Sequence, residues 1–219
     1  MFYFRLNKVR IIDNRESGFL FFKRDLAEIK LVSFITTGDS SFPDLDPFIR
    51  ETDPDQKAKL AASMVTQVVS NRILATIDNV RDDQIITFGD TGYVLFQREA
   101  IPTDFNWCLM ALEDDGDIRD VGATVNEVLQ HEGFGDFVNN LALVVGAASN
   151  PGFAAGVAIA KFVAGVLAGN LNERKDDLAG LLYMSLNRRE HYPHGERKRD
   201  DVPDLTGNML VDYSLFGFE

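Results

Sequence analysis

The chain opens on an alternation. In residues 2–13, Phe2, Phe4 and Leu6 recur at every second position, and Val9 and Ile11 resume the pattern after a break near Asn7 and Lys8. A period of two places alternate side chains on one face of a strand. Residues 27–37 read the same way, with Ile29, Leu31 and Ser33 on one face and Val32 and Phe34 on the other. Residues 73–80, 84–88, 92–97 and 106–113 form a run of short predicted strands, with turns at GDTG (89–92) and IPTD (101–104). Around the last of these, Phe105, Trp107, Leu109 and Ala111 share one face while Cys108, Met110 and Leu112 share the other, so both faces need cover. Residues 179–190 and 208–218 complete about eight strands.

The period lengthens in two places. Asp53-Pro54 is a helix start, a capping side chain followed by proline at the first helical position. Leu60, Met64, Val65 and Val68 then follow at helical spacing. The preceding stretch, with six acids and three prolines in 39–56, reads as a loop. After Gly122 the helical period returns over 124–149, broken at Gly133 and Gly135. NPG at 150–152 reverses the chain, and 153–172 is a second long helix. Small residues recur along it at Gly152, Gly156, Ala160, Ala164 and Ala168, a stripe that lets another backbone approach closely. Phe153, Val157, Phe162, Val163, Val166 and Leu167 supply the packing mass. The pattern predicts a β-sandwich over 1–121 and 176–219, one domain, carrying an α-helical hairpin insertion over 122–175 between its sixth and seventh strands.

Composition narrows the function classes. A chain of 219 residues with 45% hydrophobic content buries enough surface to fold without disulfides or metal staples. Its seventeen Phe suit a core built on strands. The net charge of −12 argues against nucleic acid, whose phosphates need clustered Lys and Arg. It favours a cation or a basic partner instead. The single cysteine, Cys108, excludes an intrachain disulfide and reads as a small buried hydrophobe. The start of the chain lacks the features of a cleavable leader, which makes a cytoplasmic protein the default expectation.

Chemistry concentrates in the acidic stretches. Glu113, Asp114, Asp115, Asp117 and Asp120 fall within eight consecutive positions, after an alternating apolar run. Exposed, they are screened by water and salt; converged, they need a cation. Oxygen-only ligands on loops suit calcium, and the lack of a neighbouring imidazole or thiol disfavours zinc and copper. WCLMALEDDGDIRDVG (107–122) resembles the C2-domain pattern of a hydrophobic strand, an Asp-x-Asp loop, a further Asp and a Gly. The resemblance implies a C2-like antiparallel β-sandwich that binds calcium in apical loops, and then an anionic lipid surface or a protein partner. It also implies an earlier calcium loop in GDSSFPDLD (38–46), offering Asp39, Asp44 and Asp46, and a related ending in KDDLAGLLYMSL (175–186) behind Asp176 and Asp177. The spacing departs from the family, because the residue six positions after Asp117 is Ala123, whereas Asp114 and Asp120 have that gap.

Two other readings come from elsewhere in the chain. His191 and His194, with Glu190 and Glu196 beside them, could share a metal in a hydrolase, but Pro193 and Gly195 make 187–201 a loop, and a polar loop held by Arg–carboxylate pairs is the plainer account. The apolar stretch 138–171 could act on a membrane, yet Lys161 interrupts an arm already short of the roughly 20 residues a span needs. No nucleophile elbow, phosphate loop or dinucleotide fingerprint is present in the sequence. The expected function is a non-enzymatic binding module, with acidic apical loops for calcium or a basic or lipid surface and a hairpin for a protein partner.

Overall fold

A computed structural model describes residues 1–14, 26–37, 45–69, 73–113, 121–148, 151–173, 178–192 and 195–218. Nine strands are described: β1 Phe2–Ile11, β2 Ala27–Thr37, β3 Ile73–Val80, β4 Gln84–Thr87, β5 Tyr93–Arg98, β6 Asp104–Glu113, β7 Leu178–Asn187, β8 Gly195–Pro203 and β9 Met209–Gly217. Five helices accompany them: α1 Leu45–Arg50, α2 Pro54–Val69, α3 Val121–Gln130, α4 Phe134–Ala147 and α5 Pro151–Glu173. Every strand pairing is antiparallel. One sheet, A, runs β4-β1-β9-β8, with β5 also pairing β1; the other, B, runs β3-β2-β6-β7.

The two sheets share one core. Phe2, Phe4, Leu6, Val9 and Ile11 of β1 are fully buried against Ile29, Leu31, Phe105, Trp107, Leu109 and Leu182 of sheet B. The switch from even to odd positions along β1 falls where its ladder with β9 shifts register, between Leu6 and Lys8. A bulge inserts one residue and restores the apolar face to the core. Phe4 meets Trp107 edge-on at 4.7 Å between ring centres, and the Trp107 indole N–H donates to Ser33 Oγ at 2.9 Å, which satisfies the one polar atom this ring carries inward.

A second core lies on the other face of sheet B. Val32, Phe34, Cys108, Met110 and Leu112 are buried beneath Met64 and Val65 of α2, Val128 of α3, Leu141 and Val145 of α4, and Ile159, Val163 and Val166 of α5. Phe137 of α4 stacks on Phe162 of α5 with ring centres 4.2 Å apart. Ala155, Ile159, Val163 and Val166 form the buried stripe of α5. Gly156 of the small-residue stripe is buried beside them, whereas the side chains of Ala160, Ala164 and Ala168 lie outside the described residues. Among the described residues, no helix is long and apolar enough to cross a membrane.

Local signals explain the helix ends. Asp53 Oδ1 accepts from the amides of Asp55 and Gln56 at 2.9 and 3.0 Å, so the first turn of α2 has its cap. His131 Nδ1 accepts from Gly133 N at 3.0 Å and closes the break between α3 and α4, while Gly135 lies within α4.

Three expectations are corrected. The stretch 39–56 is not all loop, since it contains α1. The segment after residue 121 holds three helices rather than two. The polar stretch after Gly195 is a strand, β8, not a loop. Its charges sit at an edge of sheet A, where one side meets solvent and charged side chains discourage further pairing. A bulge follows: Asp201 takes φ 51°, its amide donates to Asp212 Oδ1 at 2.7 Å, and Lys8 Nζ bridges Asp212 and Asp201 at 2.8 and 3.1 Å. The hydrogen bond to Asp212 raises the Lys8 pKa, with Asp201 adding to it.

Replacing Trp107 with Ala is expected to cost about 3–5 kcal/mol in urea unfolding, because the indole is fully buried between the sheets. Ser33→Ala, which orphans the indole N–H, is expected to cost about 1–3 kcal/mol.

Candidate functional site

Sheet B sends its two long connections out from opposite ends. In the β2–β6 ladder Thr37 faces Phe105 and Ile29 faces Glu113. Residues 38–44 therefore begin at the Phe105 end, and residues 114–120 begin at the Glu113 end, about 26 Å away along β6 at ~3.3 Å per residue. Leu178 is in register with Leu112, so the chain re-enters β7 at the end where it left β6.

This Glu113 end is an acidic rim. Asp13, Asp82, Asp83 and Asp204 lie on the connections at this end of the strands, and Glu113 itself is buried. Asp82, Asp83 and Asp204 have structural partners there. Asp82 Oδ1 accepts from Asn14 N at 2.9 Å, and Asp83 pairs with Arg10 at 2.7 Å. Asp204 accepts from the amides of Leu181, Thr206, Asn208 and Met209 at 2.7–3.1 Å and from the Thr206 hydroxyl. Asn208 Nδ2 donates to the carbonyls of Asp13 and Ala179, both at 2.7 Å, and its Oδ1 accepts from Asp13 N at 2.9 Å. One side chain thus ties the end of β1 in sheet A to β7 in sheet B. The sheets are close here: a Cβ on Gly180 would stand 2.6 Å from Met209 Cβ. This clamp was not read from the sequence, although Asp204-Leu205-Thr206-Gly207 carries the composition of an Asx turn.

The sequence-predicted ligands fall into two groups. Asp114, Asp115, Asp117 and Asp120 lie in 114–120, outside the described residues, and Asp39 and Asp44 lie in 38–44, also outside them. Asp46 is described. It occupies the first turn of α1, where the helix dipole favours a carboxylate, and pairs with Arg50 at 3.2 Å on an exposed surface. The strand residues from which these two segments leave, Glu113 and Thr37, stand at opposite ends of the β2–β6 ladder.

The other candidates have definite local partners. His191 Nδ1 accepts from Asn187 N at 3.1 Å, and the His191 carbonyl accepts from Arg197 at 2.6 Å. The histidine fastens the turn between β7 and β8, with Tyr192 O–H donating to the Pro102 carbonyl at 3.0 Å; His194 lies outside the described residues. No group of three His, Cys, Asp or Glu side chains able to hold a metal ion occurs among the described residues. Cys108 is 1% exposed, and burial pushes its thiol up to about 12.

Comparison with protein-family models, curated proteins and solved structures gives no match. The class is therefore stated by architecture: a mainly antiparallel two-sheet protein with helices packed over the outer face of one sheet.

The Cys108 thiol stays protonated in the folded chain up to about 12 but ionises near its ordinary 9.0 when unfolded. Unfolding therefore releases a proton between these values, and stability is expected to fall as pH rises above 9.0, by up to about 1.4 kcal/mol per pH unit from this group. Chemical denaturation across that range, compared with Cys108→Ala, isolates the contribution.

Proposed function

We propose that this protein is a non-enzymatic, C2-like binding module that takes calcium at the rim around Glu113 and presents the loaded rim to an anionic surface or a protein partner. The observation that carries the reading is the strand-end geometry of β6 and β7. These adjacent strands begin and end, at one rim, the chain segments that hold Asp114, Asp115, Asp117 and Asp120 on one side and Asp176 and Asp177 on the other. Carboxylates brought to one place repel one another unless a cation meets them, and calcium accepts about six to eight oxygens in flexible geometry. The described rim supplies the rigid base, because Asp204 and Asn208 hold the strand ends of both sheets together. The net charge of −12 makes a divalent cation an electrostatically favoured ligand and, once bound, reduces repulsion toward an anionic surface.

Calcium bound only by the folded chain raises its stability by mass action, by about 2.7 kcal/mol at a hundredfold excess over Kd. A rise in Tm in millimolar calcium, reversed by chelator and abolished by Asp115→Asn with Asp117→Asn, is the expected outcome. A melting curve indifferent to calcium removes the reading. Asp46→Asn, on the exposed α1 pair, is expected to leave the calcium response unchanged.

A further inference from the structure

We propose that a second copy of this chain docks on the β4–β5 edge of sheet A, with the two β5 strands paired antiparallel about a twofold axis. β4 and β5 lie in line along one side of β1, whose other side is taken by β9. Among the described residues, neither has a strand on its own outer side. Such an edge carries backbone donors and acceptors with no ladder, and proteins guard it with charge, bulges or cover. The four edges of the two sheets are guarded unequally. β8 carries six charged residues in succession, from Glu196 to Asp201, and a bulge. On β7 the Leu181 amide donates to Asp204, the Leu181 carbonyl accepts from the Leu205 amide, and the Asn187 amide donates to His191. β3 exposes only polar side chains among those described, Thr76, Asp78 and Asn79. The β4–β5 edge instead exposes Ile85, Tyr93 and Val94. Its ladder with β1 shifts register at Leu95, which twists β5 without charging it.

Charge selects a second copy as the occupant. At a net charge of −12 two copies repel, so they approach most easily through a stretch that carries little of it. Residues 84–97 hold a single charged residue, Asp90, in a chain that is 26% charged. The one charge within β5 itself is Arg98, its last residue, and the exposed Tyr93 is its first. Antiparallel pairing over the whole strand therefore keeps the two copies of Arg98 about 17 Å apart at ~3.3 Å per residue, beyond the Debye length of about 8–10 Å. It also brings each Arg98 to the Tyr93 of the other copy, where a guanidinium meets the face of an exposed ring. Tyr93 and Arg98 lie in register with Leu6 and Phe2, both of which face the core, so the two side chains share a side of the sheet. A twofold pair needs only this one surface, used by both copies, and it removes Tyr93 and Val94 from water.

The test measures the mass of the full chain by sedimentation equilibrium from low micromolar to submillimolar concentration, in chelator so that calcium plays no part. The expected result is a monomer–dimer equilibrium. Backbone amides of 94–97 are expected to exchange hydrogen more slowly at the dimeric end of the range, while those of β8 do not respond. Val94→Glu, on an exposed side chain, sets like charge into the seam from both copies and is expected to weaken the dimer at least about tenfold. Lys198→Glu, a larger change of charge on the exposed β8 edge, is expected to leave it intact. A chain that stays monomeric throughout overturns the proposal. So does a dimer in which the 94–97 amides exchange as fast as in the monomer, or one that survives Val94→Glu unchanged.

Discussion

The structure depends on one strand having two apolar faces. β6 carries Phe105, Trp107, Leu109 and Ala111 toward sheet A, and Cys108, Met110 and Leu112 the other way, and all seven are buried. A single partner sheet can cover only one of those faces. The other has to be covered by something else, and the chain supplies it from both ends of sheet B: α1 and α2 between β2 and β3, and α3 to α5 between β6 and β7. The helices are thus not an ornament on a sandwich but its third layer. Each buried apolar side chain is worth roughly 1.5–3 kcal/mol against exposure, so a bare outer face on sheet B would be a large destabilisation.

The same arrangement separates the polar chemistry into two ends. At the Glu113 end, Asp204 and Asn208 satisfy strand ends from both sheets and fix the base from which the acidic segments depart. At the Phe105 end, Thr36 and Asn106 extend the helix-facing side one row beyond the apolar cover, and Thr36 Oγ1 and Asn106 Nδ2 have no hydrogen-bond partner among the described residues.

Much of this was legible in residue order. The break at Asn7 and Lys8 is a bulge, the Asp53-Pro54 pair is a helix cap, and the two-faced reading of 105–112 matches two separate cores. β8 was missed because Gly195–Pro203 carries five charged residues in succession before Asp201, and an edge strand can afford that only because solvent lies alongside it. α1 was missed because six residues give too little periodicity to see among prolines and acids. The Asn208 clamp was invisible for a different reason: its partners Asp13 and Ala179 are remote in sequence.

By itself, then, the sequence determined the local periods, the caps and turns, and the requirement that the strand around Trp107 be covered on both sides. These are set by neighbours within a few residues, where hydrophobic spacing and backbone chemistry act directly. Only the tertiary structure decided which described acids share an end of the sheet, that the helices converge as one layer over sheet B, and that Thr36 and Asn106 are cross-strand neighbours. Those facts depend on strand order and register, which bring distant residues together through packing that no short stretch of the chain encodes.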